Sequence, residues 1–103
     1  MKVAVLFSGG KDSSLAALLL EPFFDEIELV TFSFSSDDSW MKAADAALEL
    51  GHPHRRAVFA EDVKEKALQI MLSTGYPNDA LDYVHSIAVE TIAKECEFVA
   101  DGT

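Results

Sequence analysis

The chain has 103 residues, half of them hydrophobic and a quarter charged, with a formal net charge of -10. That length allows one domain with a modest core, and the negative balance excludes an obvious nucleic-acid-binding surface on this segment alone, because an acidic surface repels a phosphate backbone. The single cysteine, Cys96, excludes an internal disulfide and a cysteine-based zinc site and suits a reducing compartment; no apolar run is long enough for a signal segment or a bilayer span, so a cytoplasmic protein without a membrane partner is expected.

The elements alternate along the chain. Val3–Phe7 is a continuous apolar run, as in a strand covered on both faces. Ser13–Leu20, rich in alanine and leucine and stopped before Pro22, reads as a helix. Ile27–Phe34 is enriched in valine, threonine and phenylalanine and reads as a second strand. Ser39–Leu50 is a second helix, with Asp37, Asp38 and Ser39 as candidate caps and Gly51 at its end. Its apolar stripe reads as Trp40, Ala44, Ala47 and Leu48. Arg56–Ala60 is a short third strand. A helix with the stripe Val63, Ala67, Ile70 and Met71 follows, interrupted at Gly75 and Pro77. A last helix carries Leu81, Val84, Ala88 and Ile92, and Phe98–Ala100 is a fourth strand.

Strands alternating with helices imply an α/β fold: a three-layer open parallel sheet with helices on both faces. The connection between strands three and four holds two helical segments, whereas one crossover helix needs only about a dozen residues. The longer path suits a chain carried from one edge of the sheet, past strand one, to its other side. The expected order is 3-2-1-4, Rossmann-like, with a topological switch point between strands one and four. Open α/β sheets bind ligands there, at the carboxyl ends of the strands. The stretch "FSGGKDSS", residues 7–14, lies at that point.

A glycine-rich turn between a buried strand and a helix presents backbone N–H groups that lack intrahelical partners, at the positive end of the helix dipole. Phosphate is the usual occupant of such a site. Gly9 and Gly10 permit close approach, Ser8, Ser13 and Ser14 offer hydroxyls, and Lys11 adds a positive charge. Asp12 fits beside phosphate if it helps to hold a metal ion or caps the helix. Neither the Walker A pattern nor the G-x-G-x-x-G dinucleotide fingerprint is present.

The residues Ser8, Gly9, Gly10, Asp12 and Ser13, with Lys11 at the free position, spell S-G-G-x-D-S. This resembles the PP-loop of the ATP pyrophosphatases, the adenine nucleotide alpha hydrolase-like superfamily that includes GMP synthetase, NAD synthetase and tRNA-modifying ligases. The resemblance implies cleavage of ATP between its α and β phosphates. A second substrate is adenylated, pyrophosphate leaves, and a nucleophile then displaces AMP. It implies ATP and Mg2+ as cofactors, and phosphate binding by Ser8, Gly9, Gly10, Lys11, Asp12 and Ser13. Lys11 and Asp12 become the catalytic candidates, with Asp12 near the magnesium. Phe7, Ser33, Phe34, Gly102 and Thr103 become adenine-side candidates. Relatives of this kind continue past a segment like "FVADGT", so residues 1–103 are expected to form a single PP-loop domain without that continuation. The alternative is a non-catalytic ATP- or AMP-binding module of the universal-stress type, which shares the fold.

The remaining polar residues carry plainer expectations. His52 and His54 read as part of a loop feeding strand three rather than as metal ligands. His85 reads as a hydrogen-bonded core histidine, with protrusion toward the nucleotide mouth as the alternative. Cys96 reads as a small buried hydrophobe at a helix end. The bend at Ser73–Asn78 is expected near the nucleotide mouth. The fourth strand carries no proline or lysine within Phe98–Ala100, which points to a homodimer that covers this edge or the last helix.

Overall fold

The first strand is one of the two inner strands of a parallel sheet, as its apolar faces require. In the computed structural model, which describes residues 1–35 and 37–101, β1 (Lys2–Leu6) lies between β2 (Glu26–Ser33) and β4 (Phe98–Asp101). The outer strand on the β2 side is β3 (His54–Val58), so the order is β3-β2-β1-β4, all parallel. Val3 pairs with Ile27 and Phe98, and Leu6 with Val30 and Asp101. Val3, Ala4, Val5 and Leu6 are all buried, as a strand covered from both sides requires.

Alternation along the strands separates two cores. One face packs Val3, Val5, Phe7, Ile27 and Leu29 against Ala17 of α1 (Lys11–Leu20) and Ala43 and Ala47 of α2 (Trp40–Leu50). The other packs Ala4, Leu6 and Val30 against Ala88 and Ile92 of α4 (Pro77–Glu95). The expected three-layer α/β architecture is therefore present, with helices on both faces and the expected strand order.

Several element details differ from the sequence reading. The buried side of α2 is Ala43 and Ala47, flanked by half-buried Ala46 and Leu50, and Leu48 is 81% exposed. Ala43 on this face lies close to Gly9, where a Cβ on the glycine would stand 2.8 Å from the Ala43 Cα. Trp40 is turned aside to lie under the Arg56 guanidinium, 4.7 Å from its ring centre. The expected break at Gly75 and Pro77 is present: Gly75 caps the helix before it, and Pro77 opens the last helix at its first turn, where its missing N–H is no loss.

The bend at Ser73–Asn78 is also displaced from its expected place. The helix before it, α3 (Glu61–Thr74), packs chiefly on α4 rather than on the sheet, with Val63 its buried residue. Gly75 ends α3 with φ of 75°, and residues 72–79 are exposed. The molecule measures 44 Å in its longest direction against 26 and 20 Å in the others. None of residues 73–78 borders the main cleft.

Candidate functional site

The turn after β1 is built by its own serines. The Phe7 amide bonds the Val30 carbonyl at 2.9 Å, so pairing extends one residue past the strand. Gly9 then takes φ of 84°, a left-handed conformation that glycine adopts without strain. A Cβ there would lie 2.8 Å from the Ala43 Cα, inside contact distance of backbone. Gly10 is extended and is the N-cap of α1, with no side chain capping the helix. The first intrahelical bond is Ser14 N–H to the Gly10 carbonyl, at 3.1 Å. The amides of Lys11, Asp12 and Ser13 precede it and form the open amino end of the helix.

Ser13 is buried and shapes the turn from within. Its hydroxyl oxygen accepts from the Ser8 amide at 3.3 Å, donates to the Gly10 carbonyl at 3.3 Å, and lies 3.2 Å from the Ser8 hydroxyl. Ser8, Gly10, Lys11 and Asp12 are exposed. The structure thus brings all six loop residues into one turn. Ser13 braces it together with Ser8, whose hydroxyl also accepts from the Gly10 amide at 3.4 Å, while the Lys11 and Asp12 side chains are exposed.

A cleft of about 750 Å³ opens beside the turn, at the carboxyl ends of β1 and β2. Volumes of this size hold small organic ligands. Leu6, Phe7 and Val30 form its base, and Leu81, Val84, His85 and Ala88 of α4 form one wall. Phe32 and Phe59 add aromatic surface, their rings 5.1 Å apart. Ser8, Ser39 and Lys42 border the other side. Lys42 makes no salt bridge among the described residues.

Of the adenine-side candidates, Phe7 borders the cleft. Ser33 and Phe34 do not. The Ser33 hydroxyl accepts from Arg56 Nε at 2.8 Å, and the Phe34 ring rests on Phe59. Arg56 also donates to the carbonyls of Phe34 and Asp37, at 3.2 and 3.4 Å, so it ties down the connection between β2 and α2. Gly102 and Thr103 lie outside the described residues. The sequence reading missed Thr31, Phe32, Lys42 and Phe59. The sequence placed Thr31 and Phe32 near the carboxyl end of β2, where a ligand was expected, but nothing in the strand's alternation marked which of its last side chains face the cleft.

Neighbouring polar groups support the turn. Thr31 donates its hydroxyl proton to the Phe7 carbonyl at 2.7 Å, which leaves His54 Nε2–H as the donor to Thr31 at 2.8 Å. Burial holds the His54 imidazole below its ordinary value. Asp37 accepts from the Ser39 amide and hydroxyl, both at 2.9 Å, and these bonds hold its carboxyl below the usual carboxylate range. Asp37 therefore steadies the start of α2, close to its expected capping role. His52 bonds Glu21 at 2.9 Å, so the two histidines point to different partners. Among the described residues no group of three His, Cys, Asp or Glu side chains is placed to hold a metal ion. Cys96 is half-buried at the end of α4, with its thiol 3.8 Å from the Lys2 carbonyl at the amino end of β1.

His85 departs from the core position expected for it. It borders the cleft, its side chain 43% exposed, and its Nε2 lies 2.6 Å from Asp101 Oδ2 at the end of β4.

An open parallel sheet in this order, with its main cleft at the carboxyl ends of β1 and β2 beside a glycine-rich helix start, defines a Rossmann-like α/β domain. The chain belongs to the family of unknown function DUF7411, whose model matches residues 1–103. It is 39% identical over its full length to the uncharacterized protein MJ0690 of Methanocaldococcus jannaschii. The chain covers 52% of that relative. A crystal structure of a predicted subunit of tRNA methyltransferase from Methanocaldococcus jannaschii superposes with a TM-score of 0.91 at 39% identity. All of this chain and 53% of that one are covered. The chain thus spans about half the length of the relatives it matches. Among the described residues no helix is long and apolar enough to cross a membrane.

Proposed function

We propose that this chain is an ATP-binding domain of the PP-loop type. In this reading it serves an AMP-forming enzyme that adenylates a second substrate, with release of pyrophosphate, in tRNA modification. One observation carries the reading: the turn Ser8–Ser13, which leads into the uncapped amino end of α1, stands beside a nucleotide-sized cleft at the carboxyl ends of β1 and β2, and Ser8 borders both. The N–H groups of the first turn and the helix dipole would hold the β and γ phosphates. Lys11 and Lys42 supply positive charge from α1 and α2.

Magnesium fits the donor set, because it prefers phosphate oxygens and water with one or two carboxylates. Asp12, exposed in the first turn, is the carboxylate in reach of such a complex. When bound, the ion would neutralise charge on the departing pyrophosphate. The apolar remainder of the cleft suits a base and ribose. The tRNA element of the proposal draws on the description of the structural relative. With a net charge of -10, RNA contacts are expected from another segment or partner.

Titration with ATP followed by amide NMR tests the site. Binding is expected to shift the Gly9, Gly10 and Lys11 amides, and Gly10→Val is expected to abolish this by placing branched carbon where phosphate approaches. Release of AMP and pyrophosphate from ATP with magnesium separates an enzyme from a module that only binds nucleotide. Equal affinity in wild type and Gly10→Val refutes the site.

A further inference from the structure

Most polar groups around the cleft are already committed. Thr31 is bound to Phe7 and His54, and the Ser39 hydroxyl to Asp37. Ser8 and Lys42 stand at the loop side, where phosphate is proposed to lie. On the opposite wall α4 presents mainly carbon, interrupted by Asp82 and His85. These two differ in how they are held. Asp82 is exposed. His85 is tethered: Asp101 is the register partner of Leu6, the last residue of β1 before the loop, and it holds Nε2 at 2.6 Å.

A carboxylate only accepts, so Nε2 carries the proton in this bond. In the neutral ring the lone pair is then on Nδ1, and His85 offers the cleft a hydrogen-bond acceptor whose ring position is fixed from β4. ATP presents few donors to such a group: its two ribose hydroxyls and the amino group of its base. A nucleotide with its phosphates at Ser8–Ser13 keeps the ribose within a few bonds of that turn and carries the base further off. The junction of β1 and β4 is where the loop begins, so the ribose is the part of the ligand that meets His85.

We infer that His85, positioned by Asp101, is a specificity-determining contact that accepts a hydrogen bond from a ribose hydroxyl of the bound nucleotide. The cleft then selects ribonucleotides over deoxy analogues. The inference rests on the nucleotide reading of the cleft, and the test separates the two.

Affinities of ATP, 2′-deoxy-ATP, 3′-deoxy-ATP and inorganic tripolyphosphate are measured on the full chain by calorimetry, with loop amides followed by NMR. Wild type is expected to prefer ATP about tenfold over one of the deoxy analogues, the effect of one hydrogen bond. His85→Leu is expected to lose that preference by weakening ATP alone, with tripolyphosphate unaffected. Asp101→Asn, which replaces the acceptor-only carboxylate by an amide that can also donate and so no longer fixes the proton on Nε2, is expected to reduce the preference without removing the ring. It serves as a second variant if His85→Leu folds poorly. Asp82→Asn is expected to keep the preference. Loop shifts with ATP but no discrimination between ATP and either analogue overturn the His85 inference and leave the nucleotide site standing. So does discrimination that depends on Asp82 rather than His85. Absence of any ATP-induced loop shift overturns the nucleotide reading, and the inference with it.

Discussion

Replacing Gly9 with alanine tests whether the loop is held by the packing described. Gly9 has φ of 84°, which for a residue with a Cβ costs about 1–2 kcal/mol. The added methyl would also stand 2.8 Å from the Ala43 Cα, a backbone atom that cannot swing away. Forcing α2 off the sheet to relieve this overpacking adds about 1–3 kcal/mol. The sum, roughly 2–5 kcal/mol, is a large part of the stability of a domain this size, about 5–15 kcal/mol. It corresponds to a fall in Tm of at least about 10 °C. Gly10→Ala is the matched control. Its backbone is extended, and the nearest atom to a Cβ is the Ser8 hydroxyl at 3.5 Å. Alanine is a poorer N-cap than glycine, so a loss of about 1 kcal/mol or less is expected. Urea unfolding of both variants, with equal slopes, gives the comparison. A Gly9→Ala protein within about 0.5 kcal/mol of wild type would refute the close contact between loop and α2.

Lys42→Ala is expected to weaken ATP several-fold and to flatten the salt dependence of binding, since the lysine borders the cleft; calorimetry at two salt concentrations in which neither quantity changes removes Lys42 from the site. For His54, burial disfavours the protonated ring in the folded state, so the unfolded chain binds that proton more readily. Its contribution to stability is complete at high pH and is lost as pH falls below about 6.5, and His54→Gln is expected to reduce the drop in urea midpoint between pH 7.5 and 5.5. An identical drop in wild type and variant contradicts this. The β4 edge, with half-buried Phe98, Val99 and Ala100, is expected to pair or pack in a homodimer; light scattering at micromolar concentration that finds a stable monomer rules it out.

Much of the fold was legible because it depends on local pattern. A strand with apolar residues at every position must be covered on both sides, and Val3–Phe7 announces that without reference to any partner. The length of chain between β3 and β4 was enough to carry it across the sheet, so the order 3-2-1-4 and the switch point followed from spacing. The turn itself was legible too, since glycines and serines between a buried strand and a helix mark a tight connection that leaves the first helical amides without intrahelical partners.

What only tertiary structure decided are the contacts that join distant segments. Ala43 lies against Gly9 and shares the inner face of α2 with the expected Ala47, whereas Leu48, which the helix's own periodicity placed beside Ala47, is exposed. Arg56 withdraws Ser33 from the cleft, while Thr31, Phe32 and Phe59 meet at its border from two strands and their ends. His85 reaches the cleft because Asp101, at the end of another element, holds it there. Periodicity shows which side of an element is apolar, but a hydrogen bond or a close backbone approach between residues far apart in the chain depends on how the elements are stacked. That stacking is set by the whole core, not by any stretch of sequence within it.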